Sequence, residues 1–261
     1  MTFFLLTLLG LCLGSFISML SYRLPLGKEM VVTPSACPVC HTKLGIKNLI
    51  PLFSWLLSNG RCNHCSTRIS IRYPLIEIGT AFSLLMIYSF LGLNHLSIFF
   101  MILALVLIVI IIIDFEHYII PDTLQIATLL LALYFAYLFN YSLSHIVTGA
   151  AAGFFSSYLL AKSFALARKK EGLGFGDVKF IGSVGIFLGA QNLVLFYLLS
   201  GLLGTANGLI WQHILKKPIF PFAPSLAISL FLCLILPFIF GNSWYQNFNL
   251  LDTLIFGHLV N

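Results

Sequence analysis

The sequence predicts an all-α polytopic membrane protein of about eight transmembrane helices, with one sizeable cytoplasmic loop. Three observations predict it. Of 261 residues, 59% are hydrophobic and 8% charged, whereas a soluble domain is charged at about one residue in four. The apolar runs are continuous, as from Met101 to Ile113, where a membrane β-barrel would alternate apolar and polar residues. The basic residues fall in a few loops and are missing from the loops between.

Apolar windows of about 20 residues mark the spans. They lie near residues 2–20, 74–93, 96–113, 122–141, 145–166, 178–190, 193–211 and 221–240. The first is expected to be retained rather than cleaved as a signal peptide. No basic segment precedes it, and no small-residue cleavage site follows Leu13. The sixth is short and is expected to be tilted, thinned or partly re-entrant. All 14 Lys and Arg can then lie on one side. Arg23 to Arg72 fall between the first two spans. Lys162, Arg168, Lys169, Lys170 and Lys179 surround the link from the fifth to the sixth, and Lys216 and Lys217 follow the seventh. The positive-inside rule makes that side cytoplasmic and puts both termini outside. The net charge of +6 is therefore a topology signal. Nucleic acid is not an expected partner, because the basic residues form no single stripe.

The organisation expected is a first helix at 1–20, a cytoplasmic loop at 21–73 and a multi-span domain at 74–261. No internal repeat stands out. The loop carries Cys37-Pro38-Val39-Cys40 and Cys62-Asn63-His64-Cys65. Two CxxC pairs at this separation suit one tetrahedral zinc ion held by Cys37, Cys40, Cys62 and Cys65. A reducing cytoplasm argues against disulfides. Four thiolates leave no open position, so the zinc is expected to be structural. His41 and His64 are expected at the surface, and Cys12 and Cys233 as packing residues within spans. Leu49–Leu57 is apolar but too short to cross. It is expected to pack on the bundle or lie at the membrane interface.

Carboxylates beside hydrocarbon are costly and need a reason. Asp114 ends an apolar run, where the helix dipole disfavours negative charge. Asp177 follows Gly172, Gly174 and Gly176, so it also reads as a helix N-cap. Those glycines permit close backbone approach or positive φ. With no preceding strand, they do not form a phosphate loop. Asp122 follows Pro121 and suits a helix start. Glu77, just inside the second span, needs a partner such as Arg72 or Lys179. Glu116 and His117 are expected to be solvated. Two carboxyl groups that meet can share one proton and activate a water between them.

The order of motifs resembles the bacterial type IV prepilin leader peptidases and N-methyltransferases. Gly14-Ser15-Phe16-Ile17-Ser18 and Arg23-Leu24-Pro25 match its N-terminal signature, with Ser18 where Asn is usual. The double CxxC loop follows, then Arg72-Tyr73-Pro74-Leu75-Ile76-Glu77. Next come Asp114 through Pro121-Asp122, then Gly174-Phe175-Gly176-Asp177. Pro221-Phe222-Ala223-Pro224 stands late in the chain, with Ala223 where Gly is usual.

The resemblance implies a membrane aspartyl protease with Asp114 and Asp177 as its dyad. Asp122, Glu77, Gly174, Gly176 and Lys179 are expected as substrate-binding or structural support. Its substrates would be prepilins or pseudopilins carrying a short basic leader, and its partners the type IV pilus or type II secretion machinery. The place would be the bacterial inner membrane, with the site facing the cytoplasm and both termini periplasmic. It also implies S-adenosylmethionine as donor for methylating the new N-terminus, with no donor-binding residues assigned. Glu116 and Glu171 are expected either to attract the basic leader or to be solvated loop acids with no role. The competing readings are a peptidase without methyltransferase activity, a non-enzymatic zinc-ribbon assembly factor, and a transporter. The last is disfavoured because no two related halves appear.

Overall fold

Unbroken runs of Leu, Ile, Val and Phe can satisfy their backbone polar groups in lipid only as helices or closed barrels. The computed structural model takes the first solution and is all-helical among its described residues. It describes residues 1–29, 34–169, 172–216 and 219–240. The helices are α1 (Thr2–Arg23), α2 (Phe53–Leu57), α3 (Arg72–Leu91) and α4 (His95–His117). They continue with α5 (Asp122–Leu138), α6 (Leu143–Arg168), α7 (Phe175–Leu215) and α8 (Ala223–Phe240). Six of them are long and apolar enough to cross a membrane.

The difference from eight spans has two sources. Helix α5 has only 17 residues, about 26 Å at 1.5 Å per residue, short of a ~30 Å hydrocarbon core. The sixth and seventh expected spans are joined in α7, whose 41 residues would measure about 60 Å if straight. That is twice the hydrocarbon thickness. The run is interrupted at one residue, Gly189, at φ 73° and ψ 166°. Only glycine adopts this conformation readily. The link expected near residue 191 is thus a one-residue break rather than a loop.

The chain divides into two compact units, Met1–Val109 and Ile110–Asn261. In the first, α1 and α3 run antiparallel. Phe3 meets Tyr88, and Cβ atoms added at Gly10 and Gly14 would lie 2.5 Å from the Cα atoms of Ala81 and Glu77. The four-residue spacing of these glycines is what lets two backbones touch. Cys233 is buried as expected, but Cys12 is exposed on α1. In the second unit α7 is central, with α5, α6 and α8 packed against it. Its buried core includes Phe180, Phe187, Phe196, Leu226 and Leu230.

Candidate active site and metal centre

Asp114 lies in the last turn of α4 and is 5% exposed. Its own helix offers the wrong end of a dipole. The fold supplies the right end of another: Asp114 Oδ2 accepts the Ala223 N–H at 2.9 Å, and Ala223 is the first residue of α8. Free N–H groups at a helix N-terminus favour an anion, which is how a carboxylate survives here. The Pro221-Phe222-Ala223-Pro224 motif thus acts as the cradle of Asp114. Asn207 steadies it by donating to the Pro221 carbonyl at 2.8 Å.

Asp177 is the third residue of α7, and Gly174 is the N-cap. The N-cap expectation for Asp177 is therefore corrected by three positions. Its Oδ2 reaches back to the Gly174 N–H at 3.2 Å, the return arm of a capping box. Positive φ is not used at Gly172, Gly174 or Gly176. A Cβ at Gly172 would instead strike the Phe164 ring. Asp114 and Asp177 both belong to the second unit, on α4 and α7.

The start of α5 braces the start of α7. Gln125 Nε2 donates to the Gly176 carbonyl at 2.7 Å, and Ile120 lies against Gly176. Lys179 pairs with Asp122 at 2.7 Å. Both of those side chains are well exposed, so the pair is worth about 1 kcal/mol or less. Asp122 opens α5, as its helix-start reading requires.

Glu77 lies in the first unit, buried on α3. Its partners are not the basic residues expected. The carboxylate takes the Leu52 N–H at 2.6 Å. Arg72 donates instead to the Ser18 carbonyl, to Ser18 Oγ and to Ser21 Oγ. Glu116 is exposed at the end of α4. Glu171, Lys170 and Lys217 lie outside the described residues.

The four cysteines of the loop converge, all sulfurs lying within 4.8 Å of one another. Cys37 Sγ is 3.7 Å from Cys65 Sγ, and Cys40 Sγ is 4.0 Å from Cys62 Sγ. Tetrahedral zinc with Zn–S near 2.3 Å requires sulfurs about 3.8 Å apart. The donor set therefore fits that ion. His41 and His64 are exposed and outside the cluster.

The two halves of the loop are near copies. Cys-x-x-Cys-His-Thr-Lys at 37–43 parallels Cys-x-x-Cys-Ser-Thr-Arg at 62–68. The Cys37 N–H bonds the Thr42 carbonyl, and the Cys62 N–H bonds that of Thr67. His41 and Ser66 hold matching positive φ. Each threonine serves its sulfur, too. Thr42 lowers the Cys40 thiol pKa through its hydroxyl and N–H. Thr67 does the same for Cys65, to about 6. This favours the thiolate form that a metal binds. The expectation of no repeat missed this duplication. Alignment of the two CxxC segments would have shown it. Nothing local in the sequence marks Gln125 or the Ala223 N–H.

Two family models match the chain. The Bacterial Peptidase A24 N-terminal domain covers residues 8–91, and the Type IV leader peptidase family covers residues 101–209. Curated relatives named "Prepilin leader peptidase/N-methyltransferase" match over most of their length. That of Pectobacterium carotovorum subsp. carotovorum is 36% identical over 85% of this chain and 88% of its own. That of Aeromonas hydrophila is 34% identical over 93% of each. That of Neisseria gonorrhoeae is 31% identical over 85% of this chain and 86% of its own. No solved structure gives a significant match.

Proposed function

This chain belongs to the type IV leader peptidase family, and from that premise we propose a membrane aspartyl endopeptidase that removes the leader of type IV prepilins or pseudopilins. Asp114 and Asp177 are its catalytic pair. The observation that carries this reading is their shared setting. Two acids 63 positions apart in sequence each accept a backbone N–H from the start of a helix in the same unit. One carboxylate removes a proton from the attacking water. The other, protonated, hydrogen-bonds the scissile carbonyl and later protonates the leaving amine. Incubating purified enzyme with a prepilin and a labelled methyl donor, followed by mass analysis, tests the function. No cleavage by properly inserted enzyme would sink it.

The relatives' printed name extends the proposal to N-methylation of the new terminus. S-adenosylmethionine would supply the methyl group. In the topology proposed, eight segments cross the inner membrane, with α7 counted twice at Gly189 and the bilayer thinned locally around the 17-residue α5. The double-CxxC loop and the two acids face the cytoplasm, and both termini are periplasmic. The basic residues support this orientation. Residues 1–20, 21–73 and 74–261 are then the first span, the zinc loop and the peptidase domain. The type IV pilus or type II secretion machinery would be the partner.

Two expected outcomes follow from the bracing of Asp177. Asp122→Asn removes an exposed ion pair and should keep cleavage readily measurable. Loss of all activity with normal insertion would move Asp122 into the chemistry. Gln125→Leu removes a buried hydrogen bond to Gly176. It should lower kcat by up to about 100-fold with KM little changed, as expected for a misplaced catalytic group. An unchanged kcat would show that the helix start holds itself.

A further inference from the structure

Leu49–Leu57 has no role in the reading above, and its side chains are oddly placed for a cytoplasmic loop. Leu49, Ile50, Phe53, Leu56 and Leu57 are 45%, 47%, 52%, 52% and 85% exposed. Five large apolar side chains exposed within nine residues mark an interaction surface. The sequence allowed the segment to pack on the bundle or lie at the interface, and the helices of its own unit leave these five side chains uncovered.

The structure also fixes its depth. Leu52 holds φ 60° and ψ −52°, a conformation that costs a leucine free energy and needs outside support. The support is the 2.6 Å bond from its N–H to Glu77 Oε2. Glu77 lies five residues into α3, about 7.5 Å along its axis from Arg72. Because α3 is a candidate span opening with Arg72 and Tyr73, that level is the membrane boundary. Trp55 adds a second tie, donating Nε1–H to the Ile69 carbonyl at 3.3 Å.

Charge points the same way. No acid occurs between Glu29 and Glu77, while Lys43, Lys47, Arg61 and Arg68 stand exposed. A stretch of one sign after Glu29 is complementary to anionic headgroups.

We propose that Leu49–Leu57 is an interfacial anchor, with its apolar side chains in the headgroup–acyl boundary. The loop's basic residues then rest on anionic lipid of the same leaflet. The anchor sets the height of the metal-binding turns above the bilayer. The inference rests on α3 as a span and not on the peptidase assignment, so either can fail alone.

The test uses the full zinc-loaded chain in phosphatidylcholine–phosphatidylglycerol vesicles. Trp211→Phe and Trp244→Phe leave Trp55 as the only tryptophan. Lipid brominated high in the acyl chain should quench Trp55 by about half or more, and bromine at the chain end less, as for an interfacial segment. Aqueous iodide should quench weakly. Adding Phe53→Asp and Leu57→Asp should reverse that order, with zinc content reporting that the loop still folds. Dominant iodide quenching before those changes would overturn the proposal. So would protection from both quenchers, which would assign the face to another protein surface. Should the tryptophan variants not fold, a photoactivatable diazirine amino acid at position 57 decides the matter. Crosslinks to phospholipid support the anchor, and crosslinks to protein or none overturn it.

Discussion

Asp114→Asn is expected to abolish leader cleavage while the protein still inserts and folds. An asparagine oxygen can still accept the Ala223 N–H that Asp114 now accepts at 2.9 Å, so the start of α8 keeps its partner. The amide cannot exchange a proton with water or substrate. One general acid–base contribution is about 10²–10⁴ in rate, or about 3–5 kcal/mol of barrier. Asp177→Asn should cost as much for the same reason. Single-turnover cleavage of a prepilin in detergent measures both. Near-normal rates in either variant would remove these residues from the chemistry. A zinc-ribbon scaffold or a transporter would not predict the loss of a protease activity.

Replacing Cys37, Cys40, Cys62 and Cys65 together by Ser should have the largest effect on structure. Purified wild-type protein is expected to carry about one zinc per chain, and the variant none. Structural zinc in small peptides contributes about 10–16 kcal/mol of apparent binding energy. A loop with only a five-residue α-helix has little core to replace it. Trypsin should therefore cut the variant rapidly at Lys43, Lys47, Arg61 or Arg68 and leave zinc-loaded protein intact there. Because the site is closed, KM for prepilin should rise more than kcat falls. Full zinc retention by the variant would refute the ligand set.

Much of the fold was legible because membrane helices are written locally. Continuous apolar runs placed α1, α3, α4, α6 and α8 within a few residues. The paired cysteines were legible by spacing, and Asp114 and Asp177 by the cost of acids beside hydrocarbon. What was not legible was who answers whom. The Ala223 N–H stands 109 residues from Asp114, and Gln125 stands 51 from Gly176. Only packing pairs them. Glu77 was assigned a cation because charge seemed to require one. It found a backbone N–H instead, which a nearby loop could supply more cheaply than a second desolvated charge. The continuity of α7 was hidden for a simpler reason. A glycine that breaks a helix at one residue looks in sequence like the end of one helix and the start of another.

On the proposed assignment of Asp177 to the catalytic pair, its attachment to the Gly174 N–H bears on how the site evolves. Catalytic acids usually sit in frustrated surroundings, and replacing them tends to stabilise a protein at the expense of turnover. Here the acid closes the first turn of its own helix. On that assignment, a mutation to Ala that silences the site would also remove that hydrogen bond from the first turn of α7. Drift toward a sturdier but inactive protein is therefore not downhill at this position, and selection for folding alone would help to keep the carboxylate.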